Sequence, residues 1–177
     1  MNYHNILHDD MRNGEGLRVT LFVSGCNHYC PECQNPQTWD SNSGIIFDEE
    51  ARQEILEQLS KDYISGITFS GGDPLYSGNL HIIFDFICGI KRLYPDKTIW
   101  LYTGYNFDSL LASNYSEDKF RIQIIKMCDV VVDGEYDKNL SDIKYHWAGS
   151  TNQRVIDIKA TKKEGRVVIY KDGSING

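Results

Sequence analysis

Hydrophobic and polar positions follow two periods along this chain, and the places where one gives way to the other divide it into elements. Leu17-Arg18-Val19-Thr20-Leu21-Phe22-Val23-Ser24 alternates and predicts a strand, after which Gly25 and Pro31 punctuate a loop. Asp48-Glu49-Glu50 opens a helix, an N-cap followed by acidic charge set against the helix dipole. Ala51, Ile55 and Leu59 follow at four-residue spacing, and Leu56 widens their apolar face. Ile67-Thr68-Phe69-Ser70 predicts a short strand running into Gly71-Gly72-Asp73-Pro74. Leu80, Ile83, Phe84, Ile87 and Ile90 mark the face of the next helix, and residues 97–103 the next strand, closed by Gly104. Residues 108–111 and 119–127 are helix pieces separated by Asn114-Tyr115-Ser116. Asp129-Val130-Val131-Val132-Asp133 is a buried strand ended by Gly134; residues 154–158 and 166–170 are β-rich, and Lys171-Asp172-Gly173 is a closing turn.

Strand and helix thus alternate about four times, the pattern of a mostly parallel sheet with crossover helices on its outside. Polar, glycine-rich segments follow Ser24, Ser70, Thr103 and Val132, each at the C-terminal end of a predicted strand, and that edge is where α/β folds bind ligands. A full eight-fold barrel takes about 250 residues. A chain of 177 residues with no repeat or linker therefore predicts one α/β domain over 1–177, a partial (βα) barrel open on one side, with 159–177 as a less certain extension.

Composition narrows the partners. The chain is 41% hydrophobic and 24% charged, the balance of a globular protein, with no apolar run near the roughly 20 residues that cross a bilayer. Its start, Met1-Asn2-Tyr3-His4-Asn5, lacks the basic head and apolar stretch of a signal peptide, so a cytosolic protein with no membrane partner is expected. Acidic residues outnumber basic ones by 25 to 18, a net charge of -7, which argues against a nucleic-acid partner.

Three of the five cysteines, Cys26, Cys30 and Cys33, fall within eight residues. Such crowding does not suit a disulfide framework and favours thiolates bound to metal. Three thiolates on one loop can ligate three irons of a [4Fe–4S] cubane and leave the fourth iron open. The alternative on spacing is a structural zinc site completed by His28 or a distant residue, although zinc loops usually pair two Cys-x2-Cys units and no second pair is present. Cys88 and Cys128 lie in or at the end of apolar helical patterns and are expected to be buried, inert thiols. His4, His8, His28, His81 and His146 show no ligand spacing, and no catalytic triad or carboxylate pair is evident.

The Cys26-x3-Cys30-x2-Cys33 spacing resembles the signature of the radical S-adenosylmethionine superfamily, and Ser70-Gly71-Gly72-Asp73-Pro74 its glycine-rich loop. More narrowly, the chain resembles the activating proteins of anaerobic ribonucleoside-triphosphate reductase, a group of glycyl-radical enzyme activases. The matching stretches are Met1-Asn2-Tyr3-His4, Thr20-Leu21-Phe22-Val23-Ser24-Gly25-Cys26, Cys33-Gln34-Asn35 with Thr38-Trp39, Ser70-Gly71-Gly72-Asp73-Pro74-Leu75, Thr103-Gly104-Tyr105, Val132-Asp133-Gly134 and Ser150-Thr151-Asn152-Gln153. The resemblance implies the open barrel of that superfamily, a [4Fe–4S] cluster on Cys26, Cys30 and Cys33, and reductive cleavage of S-adenosylmethionine to a 5′-deoxyadenosyl radical that takes hydrogen from a glycine of the partner. It further implies that the carbonyls of Gly71 and Gly72 receive the methionine ammonium and that the backbone of Glu32, Cys33 and Gln34 meets the adenine.

Glu32 departs from the family pattern, which carries glycine or an aromatic there; Tyr29 or Trp39 could supply a stacking ring in its stead. Thr103 and Asp133 are either ligand contacts or strand-end turn residues. The implied partners are the anaerobic reductase, a reduced flavodoxin as electron donor, and a second copy of the chain in a homodimer that forms a hetero-oligomer with the reductase. Two alternatives stand beside this reading: an activase for another glycyl-radical enzyme such as pyruvate formate-lyase, and a non-enzymatic zinc-binding module.

Overall fold

The computed structural model describes residues 1–171, so most of the predicted turn Lys171-Asp172-Gly173 lies outside the described residues. Seven strands form one sheet: β1 (Asn2–Asp10), β2 (Arg18–Val23), β3 (Ile45–Ile46), β4 (Gly66–Gly71), β5 (Thr98–Tyr102), β6 (Val130–Asp133) and β7 (Arg154–Asp157), in the order β3-β1-β2-β4-β5-β6-β7. The centre, β2-β4-β5-β6, is parallel, as strand–helix alternation demands. Both edges are antiparallel, β1 on β2 and β3 on one side and β7 on β6 on the other.

Five helices accompany the sheet: α1 (Glu49–Leu59), α2 (Leu80–Leu93), α3 (Phe107–Ala112), α4 (Ser116–Ile125) and α5 (Ile158–Glu164). The Asp48 carboxylate accepts the Ala51 N–H at 3.0 Å and starts α1 where the sequence placed it. Successive residues of a strand face opposite ways, and the two faces here are covered differently. Val19, Leu21, Val23, Ile67, Phe69, Ile99, Leu101, Val131 and Ile156 form one core with Ile55, Leu59, Ile83, Ile87, Leu110 and Ile125 of the helices. The opposite parity gives a smaller cluster of Trp100, Val130, Val132 and Val155, packed against Trp147 and Tyr170, in which no helix takes part. Among the described residues no helix is long and apolar enough to cross a membrane.

Several expectations are corrected. Phe86, not Phe84, completes the buried face of α2, and Cys88 on the same helix is exposed rather than buried. At about 100° per residue, Cys88 is turned away from the stripe that Ile87 occupies. Ile158, expected at the end of a β-rich stretch, instead opens α5: the Asp157 carboxylate accepts the Ala160 N–H at 2.8 Å, and Gly165 closes the helix in the left-handed conformation. Residues 166–170 contribute only a bridge from Ile169 to Ile156. Cys128 is buried as expected.

Arg18 is fully buried on the helix-free face, where it sews three strands together. Its guanidinium donates to Thr68 Oγ1 (2.8 Å) and the Ile67 carbonyl (2.8 Å) on β4, and to Thr98 Oγ1 and the Thr98 carbonyl (both 2.9 Å) on β5. Burial lowers its pKa to about 10, opposed in part by the charges of Asp129 and Asp10, so the ion is retained at neutral pH. Arg18→Met is expected to cost about 3 kcal/mol of unfolding free energy by leaving these acceptors unpaired. Urea denaturation of the cluster-free chain measures it.

Candidate functional site

The three cysteines lie on a loop that leaves the C-terminal end of β2 and folds back on itself. Gly25, at φ +98°, makes the turn, and a Cβ there would meet the Tyr76 ring at 2.6 Å. The Gly25 N–H donates to the Thr38 carbonyl at 2.7 Å and the Cys26 N–H to the Trp39 carbonyl at 3.1 Å, which closes the loop. Cys26 is buried, Cys30 and Cys33 are half-buried, and all three are free thiols. Backbone N–H groups are turned toward each sulfur: Asn35 onto Cys33 Sγ at 3.3 Å, His28 and Tyr29 toward Cys26, and Tyr136 toward Cys30. Burial still pushes the metal-free Cys26 thiol up to about 11 and raises Cys30, so iron would have to displace protons on binding.

The donor set, three thiols on one loop, suits the separate irons of a cubane. Among the described residues no three His, Cys, Asp or Glu side chains are arranged to hold one metal ion. Zinc draws four donors to about 2.0–2.3 Å from one point, whereas a cubane spreads its thiolates over separate irons. His28, the nearest candidate for a fourth zinc ligand, has both ring nitrogens engaged, Nε2 with Asp73 Oδ2 at 2.8 Å and Nδ1 with Glu135 Oε1 at 2.9 Å. Burial works against a charged ring there, but the hydrogen bonds and charges of Asp73 and Glu135 outweigh it and raise the His28 pKa.

The loop after β4 is pressed against the cysteine loop by backbone contacts. The Gly72 N–H donates to the Val23 carbonyl at 2.7 Å and the Asp73 N–H to the Gly25 carbonyl at 2.8 Å. Gly71 sits at φ +99°, and a Cβ on it would lie 2.7 Å from the Val23 nitrogen. A Cβ on Gly72 would lie 2.6 Å from the Gly25 oxygen. Gly71 is therefore glycine because β4 lies tight against β2, and Gly72 because the two loops touch. Among the described residues no hydrogen bond occupies the Gly72 carbonyl, which stays available to a ligand.

Asp73 is nearly fully buried and accepts from His28 Nε2, from Thr103 Oγ1 at both oxygens (3.0 and 2.9 Å), from the Gly104 N–H (3.0 Å) and from the Leu75 N–H (2.8 Å). Thr103 is thus a partner of Asp73 and a strand-end residue. Asp133 accepts from the Phe107 N–H at 2.8 Å and from Arg154 Nε and Nη2 at 2.9 and 2.5 Å, so it too is committed within the protein. The bonds of His28 to Asp73 and Glu135 were not visible in the sequence, because these partners lie 45 and 107 positions away from it.

Glu32, Cys33 and Gln34 follow one another on the outer part of the loop, with the side chains of Glu32 and Gln34 exposed. Glu32 holds φ +56°, a conformation that glycine takes freely, and its carboxylate meets Lys138 Nζ at 2.6 Å. Tyr29 is more than half exposed and packs edge-on against Trp39, with ring centroids 5.3 Å apart.

Comparison with known proteins gives this geometry a lineage. Residues 12–156 match the model of a 4Fe-4S single cluster domain. The chain is 43% identical over 155 residues to the anaerobic ribonucleoside-triphosphate reductase-activating protein of Enterobacteria phage T4, covering 88% of this chain and 93% of that one. It is 40% identical over 155 residues to the protein of the same name from Haemophilus influenzae (86% and 96% covered) and 41% over 157 to that from Escherichia coli (88% and 97%). The chain belongs to the 4Fe-4S single cluster domain family and, within it, to the anaerobic ribonucleoside-triphosphate reductase-activating proteins.

Asp73→Ala should lower stability by about 3 kcal/mol, because it leaves the buried Thr103 hydroxyl and the Gly104 and Leu75 N–H groups without an acceptor. Thermal denaturation of the cluster-free chain would show a matching loss; an unchanged midpoint would mean that Asp73 does not tie the rim together.

Proposed function

We propose that this protein activates an anaerobic ribonucleoside-triphosphate reductase by generating a glycyl radical on it, through reductive cleavage of S-adenosylmethionine to a 5′-deoxyadenosyl radical. The observation that carries the reading is the loop of three free thiols, each met by backbone N–H groups and packed against Gly71-Gly72 in a chain of this family. Cys26, Cys30 and Cys33 would hold a [4Fe–4S] cluster, which when bound supplies a low-potential electron and an open iron position.

The chain's own residues position the reactants. The Gly72 carbonyl, with Gly71 beside it, would accept the methionine ammonium, with no Cβ in the way. The backbone of Glu32, Cys33 and Gln34 offers the adenine its edge, while Tyr29 and Trp39 supply an aromatic surface next to it. Hydrogen-atom transfer needs no side-chain acid or base, so the carboxylates of the rim serve structure rather than proton transfer. Helices α1, α2, α3 and α4 pack on one face of the sheet, which accords with a partial barrel whose other face looks inward. The reductase is the protein substrate, a reduced flavodoxin-type donor supplies the electron, and a homodimer docked on the reductase in the cytoplasm is the working form.

The decisive experiment is anaerobic reconstitution with iron and sulfide, followed by incubation with a reductant, S-adenosylmethionine and candidate partners. Formation of 5′-deoxyadenosine and a carbon-centred electron-spin signal on the reductase is expected; Cys30→Ala should abolish both, and Cys88→Ala should leave them nearly unchanged. A radical formed only on pyruvate formate-lyase, or a protein that retains zinc and takes up no iron, would overturn the reading.

A further inference from the structure

His28 is two residues from both Cys26 and Cys30, ligates nothing, and is unused by the reaction proposed above. Its ring is nevertheless the most heavily held side chain of the cysteine loop. Only 11% of the side chain is exposed; Nε2 is bonded to Asp73 on the loop after β4, and Nδ1 to Glu135 on the loop after β6. Ionised carboxylates only accept, so each ring nitrogen donates. The Tyr105 ring meets the imidazole edge-on at 4.8 Å, and a Cβ on Gly104 would lie 2.5 Å from His28 Cδ2, so the loop after β5 leaves a slot of the ring's shape. Three strand-end loops therefore grip one side chain of a fourth.

The consequence falls on the backbone. Tyr29, directly after His28, holds φ +49°, a strained conformation for a non-glycine residue that persists only where its surroundings enforce it. With the ring anchored and the next residue turned, the N–H groups of His28 and Tyr29 face the Cys26 sulfur.

We infer that His28 is a positioning residue for the cluster: its clamped ring fixes the Cys26–Cys30 backbone so that these two N–H groups bear on the Cys26 sulfur and set the cluster's reduction potential. The inference rests on Cys26, Cys30 and Cys33 being cluster ligands. Hydrogen bonds to ligand sulfur favour the more negative, reduced cluster and raise its potential. Loosening the clamp should lower it, and the electron would then be harder to load.

The test uses His28→Ala, His28→Gln and Gly104→Ala, the last of which pushes the ring from its slot and leaves its chemistry intact. In the metal-free chain, amide hydrogen exchange of residues 26–34 should rise roughly tenfold in His28→Ala and Gly104→Ala, the weight of one lost hydrogen bond to a charged group. In the reconstituted protein without S-adenosylmethionine, both variants should show a lower midpoint potential at unchanged iron content, with His28→Gln between them and the parent. Parental exchange and parental potential in both His28→Ala and Gly104→Ala would overturn the inference. Failure of the unsubstituted chain to take up iron would instead overturn the cluster reading on which it rests.

Discussion

The Asp73 carboxylate is the constraint on which the rim of this protein depends. It is buried at the C-terminal end of the parallel strands, where an unpaired charge would cost several kcal/mol. Its solution is to collect donors from the loops after β2, β4 and β5: His28 Nε2, the Leu75 N–H, Thr103 Oγ1 and the Gly104 N–H. Each donor arrives with its own segment, so satisfying one charge registers three loops against one another. The same residue's N–H reaches the Gly25 carbonyl at 2.8 Å, and Asn79 Nδ2 joins the Ser24 and Asp73 carbonyls at 2.8 and 3.1 Å. The cysteine loop thus hangs from a frame of hydrogen bonds supplied by its neighbours.

The two faces of the sheet divide the work. One face carries the apolar core that the helices cover, and it supplies most of the burial that stabilises the fold. The other carries Arg18, Thr20, Thr68 and Trp100 among its buried residues, a mixed surface in which Arg18, Thr20 and Thr68 each find hydrogen-bond partners. Arg18 holds the N-terminal end of the central strands as Asp73 holds the C-terminal end. Between these two anchors the strands keep the register that brings Gly71 beside Val23.

The central strands, α1 and α2 were legible because their apolar positions run together or repeat over enough residues to be distinctive. β1 was not, since Asn2–Asp10 mixes Ile6 and Leu7 with histidine and aspartate and its pairing to β2 is interrupted by two register shifts. β3 is two residues long and carries no period at all. α5 was missed because five of its seven residues are polar or charged and only Asp157 and Gly165, its caps, announce it. In the site, the spacing of Cys26, Cys30 and Cys33 and the Gly71-Gly72 pair could be read directly, since tight loops are local. The clamp on His28 could not, because Asp73, Gly104 and Glu135 meet it only after the sheet has formed. Thr103 and Asp133 stood at strand ends, and their bonds to Asp73, Phe107 and Arg154 became visible only once the fold was in hand.

The central claim is that three cysteines hold a cubane and leave one iron to a ligand from outside the chain. Mössbauer spectroscopy of protein reconstituted anaerobically with isotopically enriched iron tests it most directly. The account predicts three irons in one environment and a fourth that alone changes its spectrum when S-adenosylmethionine is added. Four irons that all remain unchanged, or a spectrum without a cubane, would contradict it.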